Sequence, residues 1–241
     1  MVSILYKNDL LAKRVSRFVD AARCISSNDL TLGRCGSMFL DVTPLMNEDA
    51  QRRAAISPEY PLGEVLPGLK GRYFYTTALK CSIEQYTKTP MEFSSIIRIN
   101  ENCDAFEVIA DCLVKFPQEL VSVLKAYNTL KDPKFDSACF IHCYPPELES
   151  AMRKIGYDTK RFLNMAADFS PDQMWTFKNS FAVLEKDSND KFDVMLAEML
   201  GEKTNIYVPK HGLYTFGIDS TAAADKALVI NHFAKIINRF C

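Results

Sequence analysis

Apolar residues return every three or four positions along much of the chain, and that rhythm predicts helix. Leu11, Val15, Phe18, Val19 and Ala22 share one face of a helix that Asn8 can cap and that runs to about Cys24. A second helix is expected from Leu30 to just before Pro44, and a third from Asn47 to about Ile56. Residues 57–71 carry Pro58, Pro61, Gly63, Pro67, Gly68 and Gly71, too many breakers for a helix or a central strand, so a long loop is expected there. Residues 72–87 read as helix again, with Tyr73, Phe74, Leu79, Ile83 and Tyr86 on its core face.

The second part continues in the same manner. A short β-like run at Ser94–Ile99 follows Pro90, and helices are expected at 104–116 and 118–131 on either side of Pro117. Pro146 and Gly156 bracket another helix, and Asp158 opens a short one. Ser170-Pro171-Asp172-Gln173 is a helix-start signal, followed by Met174, Phe177, Phe181 and Leu184 at helical spacing. The next helix ends at Gly201. Residues Asn205–Ile218 alternate around Pro209-Lys210-His211-Gly212 as a small hairpin, and a final helix runs from about Thr221 to Phe240. The pattern therefore predicts a mainly α, two-lobed helical protein with one small β-hairpin near the C-terminus. Its lobes would be residues 1–100 and 101–241.

Composition narrows the setting. A chain of 241 residues, 48% hydrophobic and 24% charged, can bury a core without disulfides or metal. Its eight cysteines (24, 35, 81, 103, 112, 139, 143 and 241) are scattered through the periodic segments, which suggests reduced thiols in a cytosolic protein. No apolar run nears the ~20 residues that cross a bilayer, so no membrane insertion is expected. Net charge is −1, yet residues 1–100 carry 13 basic and 10 acidic side chains against 16 and 20 in the rest. A polyanion site would therefore fall in the first part.

Candidate chemistry is sparse. The three histidines, 142, 211 and 232, lie in different predicted elements. Cys139-x-x-His142-Cys143 could be half of a metal site, but no second ligand pair is spaced to complete it, and a buried apolar segment is the simpler reading. With no phosphate-binding glycine loop and no nucleophile elbow, no catalytic residue, metal or cofactor is assigned. An enzyme would need a pocket with paired titratable groups that the sequence does not place. Lys13, Arg14 and Arg17 form a cationic stripe on the first helix, which reads as a solvated face or as phosphate contacts. Lys70 and Arg72 precede Tyr73-Phe74-Tyr75, an alternation that suits single-stranded nucleic acid, although Tyr73 and Phe74 also suit a core and Tyr75 ordinary surface.

Asn28-Asp29-Leu30-Thr31-Leu32-x-Arg34 resembles a helix-start segment of the nucleoproteins of the bunyavirus order, of orthobunyavirus and tospovirus type. The resemblance implies two helical lobes with single-stranded RNA in a basic cleft between them, and terminal arms exchanged between protomers. Arg34 would then lie in the RNA groove, positioned by Asn28, Asp29 and Thr31. The expected function is a non-enzymatic, self-assembling coat on single-stranded RNA, in the virion and host cytoplasm. Its contacts would be Arg34, Lys13, Arg14, Arg17, Lys70 and Arg72, with Tyr75 stacking on a base. The alternative is a viral capsid, matrix or scaffold protein that oligomerises without nucleic acid. The terminal helix serves either as an exchanged arm or as part of its own domain.

Overall fold

The computed structural model describes residues 5, 7–31, 36–78, 82–110, 116–117, 119–129, 139–174, 180–184 and 192–240. Its centre is one sheet of nine strands. These are β1 (Ser37–Asp41), β2 (Tyr60–Pro61), β3 (Tyr73–Thr77), β4 (Ser94–Ile99), β5 (Ala105–Ala110), β6 (Cys139–Cys143), β7 (Phe181–Val183), β8 (Asn205–Val208) and β9 (Gly212–Gly217). The spatial order is β2-β5-β4-β3-β1-β6-β9-β8-β7. Every neighbouring pair is antiparallel except β7 and β8. The first five strands make one half of the sheet and the last four the other, joined where β1 pairs with β6.

Helices cover both faces. On the first lie α1 (Asp9–Ser27), the short α2 (Glu48–Gln51), α3 (Ile83–Lys88), α5 (Pro146–Lys154), α6 (Thr159–Phe169) and α9 (Ser220–Phe240). On the second lie α4 (Leu120–Thr129) and α8 (Phe192–Glu202), together with Leu62, Leu66 and Leu69 of the proline- and glycine-rich loop. A one-turn helix, α7 (Pro171–Met174), follows α6. Successive strand residues alternate between the two layers: Met38, Leu40, Cys139 and Ile141 meet the α1 side, whereas Phe39 and Phe140 meet the α4 side. Phe18 of α1 sits edge-on to Tyr75 and Tyr86, with ring centroids 5.3 and 5.8 Å away.

This α/β architecture overturns the mainly helical expectation, for a physical reason. A strand covered on both faces buries every side chain, so it reads as an unbroken apolar run that periodicity cannot tell from buried helix. β1 lies where a helix over 30–44 was expected, and all five of its residues are buried. The expected helix over 72–87 is β3 followed by α3, and the one over 104–116 contains β5. The expected helix over 47–56 is reduced to Glu48–Gln51. Phe181–Val183 is the strand β7 where helical spacing had been read through Leu184, and Phe177 lies outside the described residues.

Elements with one solvated face, or with clear punctuation, fall where expected. They are α1 with Asn8 accepting from the Leu11 amide, α5 begun by Pro146, α6 capped by Asp158, the β8–β9 hairpin and α9. The terminal helix packs on its own sheet through Ala223, Ala227, Ile230, Phe233 and Ile237.

Candidate active site

β1, β6 and β9 lie side by side, and their register places Ser37 opposite His142 and His142 opposite Tyr214. Two residues along the same strands, Phe39, Phe140 and Phe216 share the α4 side, so strand alternation puts Ser37, His142 and Tyr214 there as well. Glu119 immediately precedes α4 and reaches the same place. The turn between β8 and β9 brings His211, and Tyr144 follows β6 directly. A polar cluster thus forms at the middle of the sheet, at one end of the strands.

Its geometry is tight. Glu119 Oε1 accepts from Ser37 Oγ at 2.5 Å and from His142 Nδ1 at 2.6 Å. His142 Nε2 lies 2.8 Å from the His211 carbonyl oxygen. The Tyr214 ring stacks on the His142 ring, 4.1 Å away with 6° between planes, while the Tyr144 and His211 rings are 4.7 and 5.5 Å from it. His142 is 2% exposed, but Tyr144 and His211 are half-buried and reach solvent.

Two glycines permit this approach. Gly212 has φ +118°, and a Cβ there would stand 2.5 Å from the Cys143 carbonyl oxygen and 2.9 Å from His142 Nε2. Gly36 has φ +110°, and a Cβ would meet the His142 carbonyl oxygen at 3.0 Å.

Electrostatics fix the charge on Glu119. Burial alone would raise the Glu119 pKa, but hydrogen bonds from His142 and Ser37 outweigh it and hold the carboxyl down at about 2. Glu119 is therefore a carboxylate, which only accepts, and the His211 carbonyl also only accepts. Both His142 ring nitrogens thus face acceptors, the Glu119 carboxylate at Nδ1 and the His211 carbonyl at Nε2.

With both nitrogens taken up by protein acceptors, the ring as placed turns neither of them to a metal. Among the described residues no group of three His, Cys, Asp or Glu side chains is placed to hold a metal ion. As arranged, the cluster fits proton chemistry, not cation ligation.

The residues expected to bind RNA are not gathered here. Arg34 lies outside the described residues. Lys13 and Arg17 are exposed and Arg14 half-buried on α1, over the first face of the sheet. Lys70 is exposed at the turn before β3. Arg72 is committed to Asp41 at 2.6 Å, and Asp41 lies towards Tyr127 of α4 on the second face. Tyr75 has no exposed surface, and its hydroxyl is 3.0 Å from that of Tyr86, so no base can stack on it. No single basic groove unites these positions among the described residues.

Sequence reading passed over Ser37, Glu119, Tyr144 and Tyr214, and treated His142 and His211 as isolated. The available signal was the pairing of a histidine in a hairpin turn with one in a buried apolar segment. Without the β6–β9 register, nothing in the sequence joins them.

The comparisons agree with an enzyme. No protein-family model matches the chain. The chain is 26% identical to rhamnulose-1-phosphate aldolase from Bacteroides thetaiotaomicron, in an alignment covering 98% of this chain and 89% of that protein. The structure is similar to the sugar-phosphate aldolase of Thermotoga maritima, with a TM-score of 0.77, 15% identity and 95% of each chain covered. It is also similar to L-fuculose-1-phosphate aldolase from Thermus thermophilus, with a TM-score of 0.57, 14% identity and 94% of each chain covered. The fold is thus the α/β fold of these aldolases.

These similarities overturn the nucleoprotein resemblance, which rested on a seven-residue motif against a match along nearly the whole chain. With it go the non-enzymatic RNA coat, the scaffold alternative, the single-stranded RNA partner with exchanged terminal arms, and the virion setting. A short polar helix-start motif recurs easily because it encodes a local cap rather than a fold.

Proposed function

We propose that the chain is a sugar-phosphate aldolase acting on a ketose 1-phosphate. The observation that carries this reading is the Glu119–His142–His211–Tyr144 cluster, built at the centre of an aldolase-type sheet in a chain similar to rhamnulose-1-phosphate aldolase along 98% of its length. In the cleavage direction, the His211 ring takes the proton from the substrate's C4 hydroxyl. The C3–C4 bond breaks, the C4 side leaves as an aldehyde, and the electron pair becomes an enediolate on the phosphorylated three-carbon half. Tyr144 protonates C3 to give dihydroxyacetone phosphate, and the proton held by His211 restores Tyr144.

The His142 ring, fixed between Glu119 and the His211 carbonyl, gives the enediolate preorganised polar surroundings that need not reorganise. Enediolates of this kind are otherwise stabilised by a bound cation or as an enamine on lysine. The donors as arranged do not fit a cation, so no step is drawn through one.

The test is release of dihydroxyacetone phosphate from a panel including rhamnulose 1-phosphate and fuculose 1-phosphate, with chelator and with added divalent metal. Cleavage that survives chelation is the expected result. Cleavage only with added metal brings a cation into the site but keeps the aldolase, and no cleavage of any member refutes the aldolase.

A further inference from the structure

The hairpin turn that carries His211 is held from the other side of the sheet. Val208-Pro209-Lys210-His211 is closed by the His211 amide donating to the Val208 carbonyl at 2.9 Å. Lys210, third in the turn, has φ +60°, a left-handed conformation that favours glycine there. Its backbone N–H donates to Glu149 Oε2 at 2.9 Å. Glu149 stands on α5 and is tied down further. The Tyr207 hydroxyl also donates to Oε2, while Arg153 and the Tyr157 hydroxyl each donate to Oε1 at 3.1 Å. One residue beyond the captured amide, the His211 carbonyl receives the His142 Nε2 proton.

We infer that Glu149 is a positioning residue: by capturing the Lys210 amide it holds a strained turn in the shape that seats His211 against His142. Glu149 touches neither substrate nor the reacting groups; it acts through the Lys210–His211 backbone. The inference deepens the aldolase reading and rests on it for its kinetic consequence. The structural consequence, a seated His142–His211 contact, stands apart from it.

Four proteins decide the matter: unmodified, Glu149→Gln, Lys210→Gly, and the double variant. Gln keeps the size of Glu149 but brings an amide donor towards groups that already donate. Gly relaxes the left-handed turn without any clamp. In 15N-histidine-labelled protein, the His142 Nε2 proton is expected to be sharp and slow to exchange in the unmodified chain, broadened in Glu149→Gln, and recovered in the double variant. In parallel, Glu149→Gln should lower kcat about tenfold to a hundredfold, as displaced catalytic groups do. KM should stay within about twofold, because substrate binding itself is untouched.

Lys210→Gly in that background should restore most of kcat. An unchanged Nε2 signal in Glu149→Gln, or a double variant no better than the single, overturns the inference. Should Glu149→Gln fail to fold, Tyr207→Phe removes one donor from the clamp, and the same two outcomes are read from it. A chain that cleaves no ketose phosphate sinks the aldolase reading, while the Nε2 signal still decides the role of Glu149.

Discussion

Strand β1 begins and ends at a carboxyl group, one largely and the other wholly shielded from solvent, and the two behave oppositely. At its start Ser37 donates to Glu119, whose pKa is pulled down to about 2. At its end Asp41, with no exposed side-chain surface, has its pKa raised even though Arg72 reaches it at 2.6 Å and the Thr43 amide at 2.9 Å. Burial pushes both groups up. Glu119 escapes because it accepts from two side chains that are themselves buried, Ser37 and His142, the latter locked by a second hydrogen bond to the His211 carbonyl. Asp41 does not, because the Arg72 side chain is one-third exposed and shares its charge with water. Fixed, buried donors hold a carboxyl's pKa down where a partly solvated cation does not, and that condition separates the site end of the strand from the structural end.

The sharpest way to break this contrast is to disturb the site end. Gly212→Ala adds a methyl 2.5 Å from the Cys143 carbonyl in a backbone conformation that side chains avoid. It should abolish dihydroxyacetone phosphate release and lower the melting temperature, and a fully active, equally stable variant would show that the close approach is unnecessary. Glu119→Gln removes the anion that Ser37 and His142 share. It should cut kcat by about 10²–10³, the scale of losing one preorganised electrostatic or acid–base group. A variant that loses stability but keeps its kcat would place Glu119 in the same structural role as Asp41.

Arg72→Met leaves Asp41 buried without its cation and should cost about 2 kcal/mol in urea titration, with kcat retained. That is less than for a fully buried pair, because Arg72 is partly solvated.

The two carboxylates also predict opposite pH slopes. Glu119 titrates lower in the folded chain than its ordinary value of 4.5, so its contribution is full above pH 4.5 and is lost as pH falls towards 2. Asp41 titrates above its ordinary 3.8 in the folded chain, so its ionisation costs stability as pH rises beyond 3.8. Stability measured against pH should lose its acid-side rise in Glu119→Gln and keep it in Asp41→Asn. Asp41→Asn itself should have the smallest effect, within about 1 kcal/mol at pH 7, since it removes a charge that burial already disfavours.

What could be read from the sequence was what local chemistry encodes. α1, α5, α6 and the β8–β9 hairpin announce themselves by caps, prolines, glycines and one-sided apolar faces. β1, β3 and β5 announce only burial, because helices cover both faces of the sheet, and so they passed for helix. The site was hidden by the same cause. Ser37, Glu119, His142 and His211 come from four separate segments and become neighbours only through strand register and the start of α4. His142 itself was read as part of an apolar stretch, which β6 is, on one of its two faces.

Because β1 and β6 form the seam between the two halves of the sheet, the cluster cannot exist until both halves are made and docked. During synthesis, the turn that carries His211 emerges from the ribosome after eight of the nine strands of the sheet have been made. Gain of turnover in a refolding experiment should therefore lag behind helix formation, since pairings so distant along the chain are slow to close.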